Sequence, residues 1–399
     1  YPVYNFTYWP FDWAKPLPQP YLDYLFYFLG FLAILIALGL FYRLAVLLFF
    51  VGFSYTFLLE QTRYLNHFYL ICLLGFVFLF VDAHKSFSLG AFLQKKPWHG
   101  VVPKWQLWLM RFMIGIPYFW GGIAKINSDW LRGEPLGAWL KSRTDFPLIG
   151  QFFTEKWMVF LMSYGGMILD IMVIPLLLFK KTRPYAFVAA CLFHLMNHEL
   201  FTIGIFPWFM LFATTLFFSP QWPSKLFKRK GIVQENFMDY PANKWVVYSL
   251  GFWFLLHTFL PLRHWLYPGD VNWSEEGHRF SWHMKLRSKH ARGFFRVVNL
   301  ETGSEKIIQP EDILEEWQIK RMLGQPPLIW QFAQHLKSEF NSNGFKVAVH
   351  AHIEARVNNR EYQEFVDPSV DLAAAQRPFF EHTNWIRPLK VPLRNRWAE

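Results

Sequence analysis

The sequence predicts a membrane α-helical bundle of about eight spans, followed by an extramembrane α+β, β-rich C-terminal domain. Three observations carry this. Of 399 residues, 53% are apolar and 45 are Phe, while only 17% are charged, where soluble domains run at about 25%. The apolar residues concentrate in 21–262, and the chain turns polar from about 270. Lys and Arg gather in alternate loops between the apolar runs. The expected divisions are an interfacial segment, 1–20, a transmembrane domain, 21–262, and an extracytoplasmic domain, 263–399.

Residues 1–20 are rich in aromatics and proline (Trp9, Trp13, Pro16, Pro18, Pro20), which suits a loop at a membrane interface. Its opening has no basic n-region, so no signal peptide is expected, and a natural start before Tyr1 is left open. Apolar runs follow at 21–41, 44–60, 67–82, 105–124, 157–179, 185–199, 203–218 and 245–262. The sixth and seventh are short. Gly204 and Pro207 interrupt the seventh, so this pair is expected to tilt or break around a cavity.

If residues 1–20 face outward, the inside loops hold Arg43; Lys85, Lys95, Lys96 and Lys104; Lys180, Lys181 and Arg183; and Lys225, Lys228, Arg229 and Lys230. The outside loops are 61–66, 125–156, 200–202 and everything after 263. That is the positive-inside bias, and a long basic tail crosses largely regardless of its charge. The net charge of +11 therefore reads as membrane topology, and no nucleic acid partner is expected. The same parity puts His67, Lys125, His194 and His264 at one membrane face. Cys72 and Cys191 both lie in apolar runs, so no disulfide framework is implied.

In the tail, Ser281–Arg287 and Phe294–Val298 read as strands, and Thr302-Gly303 is a turn before another short strand. Helices are expected over 311–323 and 328–340, separated by Pro326-Pro327. Gly344 introduces a strand over 345–358, with Val347, Val349, Ala351, Ile353, Ala355 and Val357 on one face.

Lys125 closes the fourth apolar run. It reads either as a lysine snorkelling from a helix end or as a lysine withdrawn from water, where burial favours the neutral amine and a base role. Gly121 and Gly122 leave room for a flat ligand or a neighbouring helix. Asp129 is placed to pair with Lys125, which would favour the charged form. His194 and His198 are spaced i, i+4, but the metalloprotease signature puts its Glu directly after the first His. Glu199 follows the second. A hydrogen-bonded pair of His194 with Asn197 is preferred over a metal, and intramembrane polar residues are functional candidates. Asn66-His67 reads as a cap and interface anchor. Asp82 and His84 read as structural. Asp170, inside the fifth run, should face the bundle. His350, His352 and Glu354 alternate on one strand and read as a solvated face, not a metal triad. No phosphate loop, Ser-His-Asp order or dinucleotide fingerprint is present.

Several of these stretches together resemble a known family. Gly122-Ile123-Ala124-Lys125-Ile126-Asn127-Ser128-Asp129-Trp130 is similar to the active-site segment of vitamin K-dependent gamma-glutamyl carboxylases. So are the segment 193–207, Ser219-Pro220-Gln221-Trp222-Pro223, Tyr64-Leu65-Asn66-His67-Phe68-Tyr69-Leu70, the segment 280–288 and Phe365-Val366-Asp367-Pro368-Ser369-Val370-Asp371. The matches run in order along nearly the whole chain. The resemblance implies an integral-membrane, multi-pass enzyme with its active face and C-terminal domain extracytoplasmic (periplasmic, extracellular or lumenal). It implies a carbon-carbon lyase that oxidises vitamin K hydroquinone (reduced phylloquinone or menaquinone) with O2 to the epoxide. The strong base made on the way removes a γ-proton from a peptide glutamate, to which CO2 adds. Lys125 would be the base, with Asn66, His67, Gly121, Gly122, His194, Asn197 and His264 around the quinone. Trp282, Met284 and Arg287 would meet the glutamate substrate, and no metal is implied.

The animal members carry a longer tail, tied to propeptide docking, and a disulfide. This chain ends soon after Trp385 and is expected to lack that disulfide, like bacterial relatives. Its peptide substrate is thereby left open. The rival readings are a quinone epoxidase without carboxylation, and a non-catalytic quinone- or lipid-binding membrane protein or transporter.

Overall fold

The computed structural model of the chain describes residues 2–85, 88–93, 102–201, 203–220, 222–226, 244–378 and 381–397. The loop residues Lys95, Lys96, Lys228, Arg229 and Lys230, the side chain of Lys225, and the motif residues Thr202 and Gln221 lie outside the described residues.

Eight principal helices form the N-terminal region: α1 (Tyr21–Leu38), α2 (Tyr42–Leu58), α3 (Asn66–Phe78), α4 (Lys104–Ala124), α5 (Lys156–Leu178), α6 (Arg183–Phe201), α7 (Phe206–Thr214) and α8 (Lys244–Phe259). A 3-10 turn carries α8 on to Leu266. Each coincides with an apolar run, because a peptide backbone without water must bond within its own segment. The expected count of eight spans is nonetheless not supported. Among the described residues, four helices are long and apolar enough to cross a membrane: Tyr21–Leu38, Lys104–Ala124, Lys156–Leu178 and Lys244–Leu266. The helices Tyr42–Leu58, Asn66–Phe78 and Phe206–Phe217 are shorter than the roughly 20 residues a 30 Å core requires. α6 carries Arg183, His194, His198 and Glu199. Hydropathy marks where chain leaves water, but not whether the helix reaches across.

α4 is the central helix. It packs on α3, α5 and α7, and α6 packs on α5 and α7. Their shared core includes Leu70, Met113, Ile114, Leu177, Ala190 and Phe217. One member comes from far along the chain: Trp282, 1% exposed, inserts among these helices. α1 and α2 pack on each other through Leu29, Leu32 and Ala45.

The C-terminal region holds a small antiparallel sheet with strand order β2-β1-β3-β4, made of β1 (Lys289–Asn299), β2 (Glu305–Ile308), β3 (Val347–Val357) and β4 (Gln363–Glu364). Phe295 pairs with Ala351 and Val297 with Val349. One sheet face buries these residues beneath α10 (Pro326–Ser342), which α9 (Glu316–Met322) precedes. This region is less β-rich than expected. The strand anticipated over Ser281–Arg287 is a run of turns. Phe280, Trp282 and Lys285 sit at φ of 62°, 60° and 51°, a left-handed region that breaks strand alternation.

The N-terminal segment belongs to this C-terminal core as much as to the helices. Phe6 is fully buried in it, Thr7 N donates to Gln331 Oε1 at 2.9 Å, and Gln331 Nε2 donates to Thr7 O at 3.1 Å. Buried Glu60 joins all three parts, accepting from Thr62 N, Phe6 N and Gln318 Nε2.

Candidate active site

A cavity of about 1010 Å3 lies between the helices and the turns before β1. Lys125 stands on its wall, at the C-terminal cap of α4. Tyr118 precedes it by two helical turns on the same face and also lines the cavity. After Lys125 the chain turns, and Asn127 Oδ1 caps a short helix by accepting from Asp129 N and Trp130 N. Trp130 fixes that helix to α5: its Nε1 donates to Ser163 O at 2.9 Å, and Ser163 Oγ donates to Trp130 O at 2.8 Å.

Lys125 is 7% exposed and Asp170 is 4% exposed. Lys125 Nζ donates to Asp170 Oδ2 at 2.5 Å and to Gly121 O at 3.3 Å, and lies 5.4 Å from the Trp130 ring centroid. The expected Lys125–Asp129 pair is absent, because the helix ends between them and the i+4 relation ends with it. Asp129 instead accepts from Arg360 at 2.5 and 2.8 Å and from Asn358 Nδ2 at 2.6 Å. Burial alone would raise the Asp129 carboxyl, but the bonds from Arg360 and Asn358 hold it below the usual carboxylate range.

The two glycines do not line the cavity. Gly122 serves helix packing: a Cβ there would stand 2.6 Å from Ile171 Cγ1 and 2.9 Å from Ile171 N. A Cβ on Gly121 would meet Met284 Cε at 3.1 Å, so its bareness admits a side chain of the protein and not a flat ligand.

His194, on α6, shares a 2.5 Å hydrogen bond with Tyr118 Oη and not with Asn197, since α4 brings the phenol against its ring. Asn197 lines the cavity further along α6. His67 lines it too, stacked on Phe206 at 5.6 Å. Asn66 accepts from Tyr64 Oη at 2.9 Å and donates to His283 O at 3.2 Å, tying α3 to the C-terminal turns. His264 is not on the wall. It sits behind His283, with ring centroids 4.8 Å apart, and its Nδ1 donates to Pro261 O. Trp282 is likewise in the core, whereas Met284 and Arg287 line the cavity.

At the polar end, Glu275 accepts from Arg287 at 2.9 and 2.5 Å and lies 3.5 Å from Lys289 Nζ. Arg287 also bonds His278. Lys285, Arg279, Lys320 and Arg321 add positive charge to this end, which suits an anionic partner. Burial pushes His283 down to about 3 and His278 well below its ordinary value, so both rings are neutral. Burial also pushes Lys289 down to about 8, against the pull of Glu275.

The other end is apolar and runs between α5 and α6. Leu161 and Leu192 line the cavity and are also 60% and 65% exposed on the outer surface of the helices. Gly165, also on the cavity wall, has open space where a Cβ would stand. The cavity is therefore polar beneath the C-terminal region and apolar along α5 and α6, where residues of its wall also reach the outer surface.

Elsewhere, Asp82 pairs with Arg43 and Lys85. Glu354 pairs with Arg292, His352 stacks on Phe294 at 4.9 Å, and His350 Nδ1 donates to Pro368 O. Among the described residues, no group of three or more His, Cys, Asp or Glu is set to hold a metal ion.

Two comparisons bear on this geometry. Residues 2–222 match the family model described as the HTTM domain. Residues 242–391 match the model of the vitamin K-dependent gamma-carboxylase lumenal domain. No solved structure matches the chain.

Proposed function

The chain belongs to the vitamin K-dependent gamma-carboxylase family, its HTTM domain followed by the family's lumenal domain, and from that premise we propose that it is an integral-membrane vitamin K epoxidase and gamma-glutamyl carboxylase. The observation that carries this is the buried Lys125 amine on the wall of a large cavity, held by Asp170. The residues fit the cofactor that the family's name implies. A wall bearing Lys125, His67 and His194 suits a ring with two hydroxyls, and the apolar stretch along α5 and α6 suits a long hydrocarbon tail. Vitamin K hydroquinone supplies, when bound, the oxygen-consuming chemistry that drives carboxylation.

Lys125 Nζ takes a proton from a hydroxyl set against this wall. Tyr118 and His194, bonded to each other, and His67, braced by Phe206, orient that hydroxyl. The closely packed turns around Trp282 and Met284 keep bulk water from the reacting atoms. The cationic end at Arg287, Lys285 and Arg321 draws in the glutamate of a peptide substrate. This end and the C-terminal domain share one side of the membrane, the extracytoplasmic or lumenal one.

The test is turnover by the purified protein with reduced vitamin K, O2, labelled CO2 and a glutamate-rich peptide. Epoxide and labelled peptide are both expected, with Lys125→Ala lowering them by about a hundred- to ten-thousand-fold. No epoxide from the parent protein overturns the enzyme reading. Equal epoxide from Lys125→Ala overturns the base assignment, and epoxide without label limits the activity to epoxidation.

A further inference from the structure

Asp170 lies in the middle of α5 with Ile168, Leu169, Ile171 and Met172 around it in sequence. A carboxylate so placed has lost its water and is costly unless it is paired. Its hydrogen-bond partner among the described residues is Lys125, 45 positions away. The approach is built into the helices. Gly122 lets α4 ride directly on the α5 backbone at Ile171, and Gly121 keeps a Cβ position 3.7 Å from Asp170 Oδ2.

The amine has two acceptors, Asp170 Oδ2 and Gly121 O. A neutral amine has two N–H bonds and one lone pair. If those two hydrogens are committed to the two acceptors, the lone pair is the direction left for the cavity that both residues line. The other ionisable groups on these walls are Tyr64 and His67, Tyr118 of α4, His194 of α6, and Glu275, His278, Arg279, His283, Lys285, Arg287, Lys289, Lys320 and Arg321 of the C-terminal region. None of these is hydrogen-bonded to Nζ among the described residues; Tyr118 and His194 are bonded to each other.

We propose that Asp170 is the positioning residue for Lys125: with Gly121 O it aims the amine lone pair into the cavity, and its carboxylate stabilises the ammonium that results. The inference rests on the reading of Lys125 as the group that takes a proton. In that step an O–H bond of the bound compound breaks, an N–H bond forms at Nζ, and the electron pair stays on oxygen. The proton moves within the cavity, so its net charge is unchanged: the new ammonium faces the Asp170 carboxylate, and the negative charge it leaves behind sits on the oxygen.

The experiment compares the full chain with Asp170→Asn, Asp170→Ser and Asp170→Glu in lipid. The first readout is acetylation of Lys125 by acetic anhydride from neutral to alkaline pH, quantified by peptide mass. Loss of an opposite charge at this distance should let labelling begin about 1–3 pH units lower in the Asn and Ser variants, while Glu follows the parent. The second readout is turnover: kcat falls in Asn and Ser with KM little changed, and Glu restores part of it. A parent-like labelling profile in either neutral variant that folds overturns the proposal, as does a KM rise at constant kcat. A parent protein without turnover counts against the reaction alone, because the labelling profiles still decide the coupling of the two residues.

Discussion

Replacing Arg360 by Leu should release the C-terminal region from the turn that follows Lys125. Asp129 is 3% exposed and receives two bonds from Arg360, at 2.5 and 2.8 Å, and one from Asn358. In Arg360→Leu the carboxylate keeps the Asn358 bond and a long one, 3.4 Å, from Ser128 Oγ. Removing one partner of a buried pair costs about 3–5 kcal/mol, and the surviving amide bond sets the expectation at the lower end, about 3 kcal/mol. The loss is measured as a shift in denaturant midpoint by tryptophan emission in detergent. The double variant Asp129→Leu/Arg360→Leu should lose less than the sum of its singles, since no unpaired charge then remains. A loss below about 1 kcal/mol, the range of exposed pairs, or strict additivity would refute the argument. The pH dependence has a definite sign. The Asp129 carboxyl lies below its ordinary value, so its contribution is full above about pH 4 and is lost as pH falls through the depressed value.

Two further expectations concern the same region. His283 titrates at about 3 in the fold and near 6.5 when unfolded, so the unfolded chain takes the proton first and stability falls with pH below about 6.5, by about 1.4 kcal/mol per unit. Among the described residues neither ring nitrogen of His283 has a hydrogen-bond partner, so His283→Phe should flatten that slope by one proton in denaturation followed over pH; an unchanged slope would count against it. Gly122→Ala drives a methyl into Ile171 and should cost about 1–3 kcal/mol by overpacking, whereas wild-type stability would show that α4 and α5 separate freely.

Much of this site can be read in the sequence, and what is hidden has physical reasons. Asn66, His67, Lys125, His194 and Asn197 fall on one cavity because loop charges and helix ends already place them at one level. Tyr118 was findable, since it precedes Lys125 by two turns on the same helical face. The pairing of Lys125 with Asp170 was not, because the periodicity of one helix says nothing about which residue of another it meets. The tempting neighbour, Asp129, lies beyond the helix end, where that periodicity stops. The inserted turn at 276–288 was hidden for another reason: alternating Trp282, Met284 and Leu286 look like a strand until left-handed backbone at Phe280, Trp282 and Lys285 redirects them.

The apolar wall at Leu161 and Leu192, which line the cavity and are also exposed on the outer surface, changes what substrate concentration means on the proposed reading of this protein. A hydrocarbon-tailed molecule arriving there comes from the surrounding film of lipid and not from the bulk liquid. Its supply is then a surface density, a number of molecules per lipid, unaffected by the volume of buffer above. Diluting the film with inert detergent at a constant total amount of substrate starves the site, although no molarity has changed. Saturation from this side is to be expressed in mole fraction, while partners meeting the cationic end obey ordinary molar concentration.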